Sequence, residues 1–406
     1  GENITGKEEL LMTYLPKSIQ DVKMYDSSKA YNGYTLFVMA SDNNVWLIDM
    51  KGRVVNHWLM EHAGQHGKLL PNGNLLWQGR GPQAMSEFGG NGTELIEVDW
   101  NGREVWRYDD LFLNHDFVRL DNGNTIINRY IRIPDSMAAK IKGGVPGTER
   151  EGKMWSCSFQ EITKEGNVVW EWKHYEHLDP ERDVLCPLCP RSIWGYTNSL
   201  NVFPNGNILC TFRFLNTIAI VDKKTGRIIW RWGPEYSLGH PHSCSVLDNG
   251  NILLFDNGLH RKGKEIGINE IETSRVLEVN PKTNEIEWEY RDPNAFNFYT
   301  SICGGAQRLP NGNTLICEST KGRFFEVTPD KEIVWEYVSP FMVRRPPYWG
   351  WTLSALVFQA HRYGPDYEGL KGKVLDPNRF EWVIRQKDAK TLEEEKALSR
   401  LKKLGY

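Results

Sequence analysis

The stretch Leu69-Leu70-Pro71-Asn72-Gly73-Asn74-Leu75-Leu76-Trp77 decides the fold, because its centre returns along the chain. The other copies are Asp121-Asn122-Gly123-Asn124, Pro204-Asn205-Gly206-Asn207, Asp248-Asn249-Gly250-Asn251 and Pro310-Asn311-Gly312-Asn313, each set between apolar, strand-forming runs. Asn-Gly between two such runs signals a tight β-hairpin, since a type I′ turn needs positive φ at both central residues. Repetition at this scale belongs to a protein that copies one supersecondary unit.

A second phrase, Trp-x-aromatic, interleaves with the first: Trp106-Arg107-Tyr108, Trp170-Glu171-Trp172, Trp230-Arg231-Trp232, Trp288-Glu289-Tyr290 and Trp335-Glu336-Tyr337, with His57-Trp58 as a degenerate copy. A polar or glycine turn precedes each, such as Asn101-Gly102-Arg103, and before that lies another alternating run such as Leu95-Ile96-Glu97-Val98. Four short antiparallel strands per unit is the composition of a β-propeller blade. The predicted fold is therefore all-β, a six-bladed β-propeller, with five blades over 66–108, 115–172, 198–232, 242–290 and 303–337. The sixth draws its inner strand from 355–360 and its outer three from 34–38, 45–48 and 53–58, so strands from both ends of the chain close the ring and cover its edges. The domain plan is an N-terminal extension over 1–33, a single propeller domain over 34–370, and a C-terminal appendage over 371–406 with a helix at 389–398.

Composition narrows the partners. Forty-nine Lys and Arg against 52 Asp and Glu give a net charge of −3, and no basic stripe runs through any blade, which argues against nucleic acid. No apolar run approaches the roughly 20 residues of a membrane span. Glu8-Glu9-Leu10-Leu11-Met12 is too short and too acidic for a signal-peptide core, and a start at Gly1 points to a trimmed chain.

Departures from the repeat are not needed for folding and point to function. A long loop at 131–155 carries Gly143-Gly144 and Pro146-Gly147, and an insertion at 174–196 carries Cys186-Pro187-Leu188-Cys189-Pro190; both are expected to cap one mouth of the channel. Cys186 and Cys189 fit half of a zinc ribbon, a local disulfide or two ordinary thiols, since no second Cys-x-x-Cys or suitably spaced His pair follows. Cys157, Cys210 and Cys317 fall within apolar strands and read as core.

The first residues of every inner strand converge near one mouth of a propeller. Aligning the blades on their hairpins places Asn114-His115, Asn198, His242 and Gly304-Gly305 at that level, with Gln65-His66 displaced by one residue and His361 following its apolar run. Imidazoles gathered on an axis can act as general acid or base, nucleophile or metal ligand. His66, His115, His242 and His361 would suit a divalent transition metal with open positions, although no His-Glu-x-x-His motif or carboxylate pair accompanies them.

Several runs carry a family resemblance: His240-Pro241-His242, the stretch 250–258, the stretch 305–318 from Gly305-Ala306-Gln307, the stretch 322–329, and Tyr363-Gly364-Pro365-Asp366-Tyr367. Across residues 34–370 the chain resembles the arylsulfotransferase family of six-bladed propellers, most specifically over 305–329. The resemblance implies transfer of a sulfuryl group from an aryl sulfate to a phenol through a sulfated histidine, and a periplasmic or secreted location, with a cytoplasmic one left open. It also implies that His115, in Asn114-His115-Asp116, and His242 bind or react with the sulfate, and that Asn114, Asn198, Arg213 and Arg261 are candidate substrate ligands. Thr300-Ser301-Ile302-Cys303-Gly304-Gly305 departs from the pattern where related sequences often carry a histidine, and Cys244 stands where an amide is expected.

Three readings follow. The first is sulfuryl transfer with His242, His115 or His361 as nucleophile. The second is a metal-dependent lyase, hydrolase or oxygenase using the axial histidines. The third is a propeller that binds a ligand or protein without catalysis. In the first two the partner is a small aromatic or anionic molecule, for which Trp155, Trp194, Tyr196, Phe298, Tyr299, Tyr348, Trp349 and Trp351 offer stacking surfaces.

Overall fold

In a computed structural model, the structure describes residues 21–85, 88–233, 238–261, 272–344 and 353–380. The expected helix at 389–398 and the aromatics Tyr348, Trp349 and Trp351 lie outside these residues. The described chain is all-β and propeller-like, and its α-helix is confined to Asp135–Ala138.

Its strands fall into four-stranded antiparallel units at the expected places. Leu200–Val202, Ile208–Phe212, Thr217–Val221 and Ile228–Trp232 form one sheet, and His242–Val246, Ile252–Asp256, Arg275–Val279 and Ile286–Tyr290 another. Gly305–Arg308, Thr314–Glu318, Arg323–Val327 and Ile333–Val338 form a third, whose outer edge is covered by Asp21–Tyr25 from the N-terminal extension. The remaining units share a single ten-stranded sheet. They are joined because Val54–Leu69 and Glu104–Arg119, of 16 residues each, leave one unit as its outer strand and enter the next as its inner strand. At the start of that sheet Tyr34–Met39 pairs with Val357–Tyr363, joining the two ends of the chain.

Each Asn-Gly phrase forms a hairpin, but with a different turn from the one expected. Gly73, Gly123, Gly206, Gly250 and Gly312 have φ between +83° and +88°, while the asparagines before them are absent from the positive-φ residues. The Gly73 N–H donates to the Leu70 carbonyl at 2.8 Å, and the Leu70 N–H donates to the Asn74 carbonyl at 2.8 Å. This is a type I turn ending in a left-handed glycine with a bulge. The first asparagine stays out of the left-handed region because its Oδ1 accepts the N–H two residues on, at 2.9 Å from Asn74 to Asn72.

In four of the five phrases the second asparagine points inward, onto a glutamate of the third strand. Asn74 donates to Glu97 at 2.8 Å, Asn124 to Glu161 at 2.6 Å, Asn251 to Glu278 at 2.7 Å and Asn313 to Glu326 at 2.7 Å. A cation from the following unit completes each pair: Arg119 on Glu97, Lys223 on Glu161, Arg308 on Glu278 and Arg362 on Glu326. Buried carboxylates persist because they are neutralised and hydrogen-bonded in this way.

The Trp phrase joins neighbours as well. Indole N–H groups donate from Trp58 to the Asp99 carbonyl, Trp106 to Lys164, Trp172 to Gly226, Trp232 to Asn284, Trp288 to Pro329 and Trp335 to Met50, at 2.7–3.2 Å. Innermost strands also touch in series: Val357–Tyr363 with Val54–Leu69, then Glu104–Arg119, Leu200–Val202, His242–Val246, Gly305–Arg308, and Val357–Tyr363 again.

The two long loops pack as one layer. Gly143–Val145 pairs in parallel with Leu185–Pro190, and Ile141, Leu185, Ile193 and Trp194 join the apolar core beneath. Cys157, Cys210 and Cys317 are buried in strands as expected.

Candidate functional site

Backbone geometry singles out the starts of the innermost strands. Non-glycine residues rarely adopt positive φ, and such conformations gather at functional sites. Among the described residues His115 (φ 48°), Ser243 (47°) and Cys303 (57°) do so at these starts, in three different units. His115, Cys303 and the left-handed Ser41 line a cavity of about 210 Å³ together with Gln65, Arg80, Gly90, Tyr196, Arg213 and His242.

His115 is held from several sides. Its Nδ1 meets Asn114 Oδ1, its ring lies edge-on to Tyr196 at 5.3 Å, and Phe358 packs at 5.5 Å. The absent side chain of Gly90 makes room for it, since a Cβ there would come within 2.2 Å of the imidazole. Burial, and then the nearby Arg213 charge, push the His115 pKa down to about 3, leaving a neutral ring at neutral pH.

His242 has a defined tautomer. Its Nδ1–H donates to Asn257 Oδ1 at 2.6 Å with the His240 carbonyl at 3.0 Å, so Nε2 carries the lone pair and accepts the Cys303 backbone N–H at 3.2 Å. Asn257 is fixed in turn by donating to the carbonyls of Thr300 and Cys303, both at 2.7 Å. Burial and Arg213 again hold this imidazole well below its ordinary pKa.

The cavity is basic. Arg213 lies over the rings of Phe214 at 5.0 Å and Tyr196 at 5.7 Å, and Arg80 donates to the Met85 carbonyl at 3.1 Å. Among the described residues no carboxylate lines the cavity and none pairs with either guanidinium.

The other expected site residues sit elsewhere. His66 and His361 lie together, ring centroids 5.6 Å apart, outside the cavity lining. The Phe358 ring centroid lies 5.1 Å from that of His66 and 5.5 Å from that of His115, so these histidines form two tiers. In the second tier Asp116 receives Lys68 at 2.7 Å and lies 3.3 Å from His66 Nε2. Burial lowers the pKa of both His66 and His361. Asn114 donates to the Thr197 carbonyl at 3.1 Å and orients His115. Asn198 is occupied by the Thr211 hydroxyl at 2.6 Å and the Pro241 carbonyl at 3.2 Å. Arg261 is bound to Asp256 at 3.0 Å. Of the expected aromatics, Tyr196 lines the cavity, whereas Trp194 and Phe298 are core residues.

Arg80 was not anticipated, although the repeat contains its signal. Asn74 to Arg80 and Asn207 to Arg213 each span six positions, and the same offset from Asn251 reaches Asn257, the partner of His242. That position directly follows the second strand of a unit and lines the cavity or holds a residue that does.

A second cluster lies outside this cavity lining. Among the described residues one group of three or more His, Cys, Asp or Glu brings its donor atoms within 4.8 Å of one another, and it consists of Cys186, Cys189, His240 and His260. Two come from the 174–196 insertion, and the histidines flank the first two strands of the 242–290 unit.

Fold and site together define a β-propeller-like protein with a basic cavity at the starts of its inner strands. The chain belongs to the arylsulfotransferase (ASST) family, whose sequence profile matches residues 66–340. A solved structure from Bacteroides caccae, of unknown function, is similar over 82% of this chain and 98% of its own, with TM-score 0.51 and 13% identity. A streptogramin B lyase covers 85% and 95% with TM-score 0.45 and 12% identity. A catalytically inactive virginiamycin B lyase from Staphylococcus aureus with quinupristin covers 78% and 87% with TM-score 0.41 and 11% identity. No curated protein matches by sequence.

Proposed function

We propose that the chain is a sulfuryl-transfer enzyme built on a closed six-bladed propeller, with the sulfate of an aryl sulfate bound between Arg80 and Arg213. The closed ring is supported by the series of inner-strand contacts and by the Trp bonds, which pass from each unit to the next and return at Trp335 to Met50. The observation that carries the function is the pair of guanidiniums on one small cavity with no carboxylate facing them among the described residues. Such a site favours a compact anion and would stabilise charge developing on the sulfuryl oxygens.

In this reading His242 Nε2 is the nucleophile: His242 lines the cavity, Asn257 holds its other nitrogen protonated so that Nε2 carries the lone pair, and attack requires Nε2 to release the Cys303 N–H that it accepts at 3.2 Å. Nε2 attacks sulfur, the bond from sulfur to the aryl oxygen breaks, and the phenolate leaves. The acceptor phenol then attacks the sulfated imidazole, the N–S bond breaks to restore the neutral ring, and the phenol proton passes to water, with neutral His115 serving only as a hydrogen-bond acceptor for the incoming hydroxyl. His361 has no place in these steps, since Phe358 stands between its tier and the cavity.

The test is phenol release from an aryl sulfate in the presence of a second phenol, without added metal. The expected result is turnover that Arg213→Gln lowers by on the order of 10²–10³-fold in kcat/KM. Ligand binding without turnover would instead establish the propeller as a binding module.

A further inference from the structure

We propose that Cys186, Cys189, His240 and His260 form a tetrahedral zinc site that ties the 174–196 insertion to the wall of the cavity. Zinc takes thiolate sulfur at about 2.3 Å and imidazole nitrogen at about 2.0–2.1 Å, so adjacent donors of a tetrahedral site lie about 3.3–3.8 Å apart. Cys186 Sγ is 3.5 Å from His260 Nδ1, Cys189 Sγ is 3.6 Å from the same nitrogen, and Cys189 Sγ is 3.0 Å from His240 Nε2. All the donor atoms lie within 4.8 Å of one another, as one ion requires. Two thiolates neutralise a divalent charge, and two sulfurs with two nitrogens make the closed ligand set of a structural zinc rather than one with an open position.

The ligands are set in place by their backbones. His240 is left-handed (φ 52°) and its N–H donates to Asn216 Oδ1 at 2.8 Å, while His260 (φ 56°) donates its N–H to Glu272 at 2.9 Å. Their rings stand 4.8 Å apart at 75° to each other, an arrangement that lets Nε2 of one and Nδ1 of the other meet the same sulfur. Cys186 and Cys189 supply the two-residue spacing of a zinc knuckle from Leu185–Pro190.

The bridged segments give the site its consequence. His240 is two residues from His242, and Asn216, which holds His240, caps the short helical turn that starts at Arg213. Zinc at this cluster would fix the Cys loop, the entry to the 242–290 unit and residues 257–261 after Ile252–Asp256 as one body beside the cavity.

Plasma mass spectrometry of the full chain, purified without chelator, is expected to find one zinc per chain. Replacement by Co(II) is expected to give the intense visible bands of a tetrahedral site together with thiolate-to-cobalt charge transfer. Cys186→Ser and His260→Ala should each abolish those bands and bring zinc well below one per chain, whereas His66→Gln and His361→Gln should leave both unchanged. The wild-type cobalt spectrum needs no variant, so a cysteine variant that fails to fold leaves the test intact. Octahedral cobalt bands without charge transfer, full zinc retention in His260→Ala, or a disulfide between Cys186 and Cys189 in the purified protein would each overturn the proposal.

Discussion

The indole N–H of Trp335 donates to the carbonyl of Met50 at 2.9 Å, a contact between residues 285 positions apart in the chain. It joins the 303–337 unit to the one that holds strands from both ends of the chain, and it repeats five other Trp bonds between adjacent units. Trp335→Phe keeps much of the apolar contact and removes the donor, leaving a buried carbonyl unpaired. The expected cost is about 1–3 kcal/mol in chemical denaturation. A loss no greater than that of a surface substitution would show that the bond contributes nothing to the ring.

Arg362 and Glu326 are both fully buried and 3.2 Å apart. Glu326→Ala strands the guanidinium charge, takes one of two acceptors from the Asn313 amide and removes the acceptor of the Tyr31 N–H, so it is expected to cost about 3–5 kcal/mol. Replacing both charges by apolar residues of similar size should recover much of that loss. If the double variant is as unstable as the single one, the stranded charge is not the cause.

Gly90→Ala is expected to damage the cavity without changing its chemistry. A Cβ would meet the His115 ring at 2.2 Å, and φ of +74° disfavours alanine independently. A stability loss of about 1–3 kcal/mol should accompany a fall in turnover. Unchanged kinetics would remove His115 from the reaction.

Acid should weaken the protein partly through His115. Its pKa is about 3 in the folded chain, against an ordinary value of 6.5, so below pH 6.5 the unfolded chain takes up a proton that the folded chain refuses. Above 6.5 both are neutral and the term vanishes; below it, each pH unit costs about 1.4 kcal/mol until the folded value is reached. His115→Asn should therefore lose stability less steeply than wild type between pH 6.5 and 4 in denaturant titrations. Parallel curves would contradict the buried, neutral ring.

The repeat was legible because hairpins and alternating strands are local. Asn72-Gly73 located a turn correctly, yet the turn type depended on an Asn72 side-chain bond that the dipeptide alone does not specify. The ruler built from the repeat placed His115 and His242 on one cavity, where the structure also finds them. Asn198, which the ruler put at the same level, and Arg261, which the family resemblance suggested, are held outside the cavity lining by Thr211 and Asp256, partners that their local sequence does not specify. The Cys186-x-x-Cys189 pair looked incomplete for the same reason: its histidine partners stand 51 and 71 residues beyond Cys189, joined only by the packing of one unit on another.

The proposed reaction moves a sulfuryl group from one phenol to another in the cavity between Arg80 and Arg213. The direct measurement supplies purified full chain with an aryl sulfate and a different phenol and follows both products by mass spectrometry. Sulfated acceptor and free donor phenol are expected in equal amounts, both lost in His242→Ala. Absence of both products, or release of the sulfuryl group as inorganic sulfate with no sulfated acceptor, would contradict the proposed transfer.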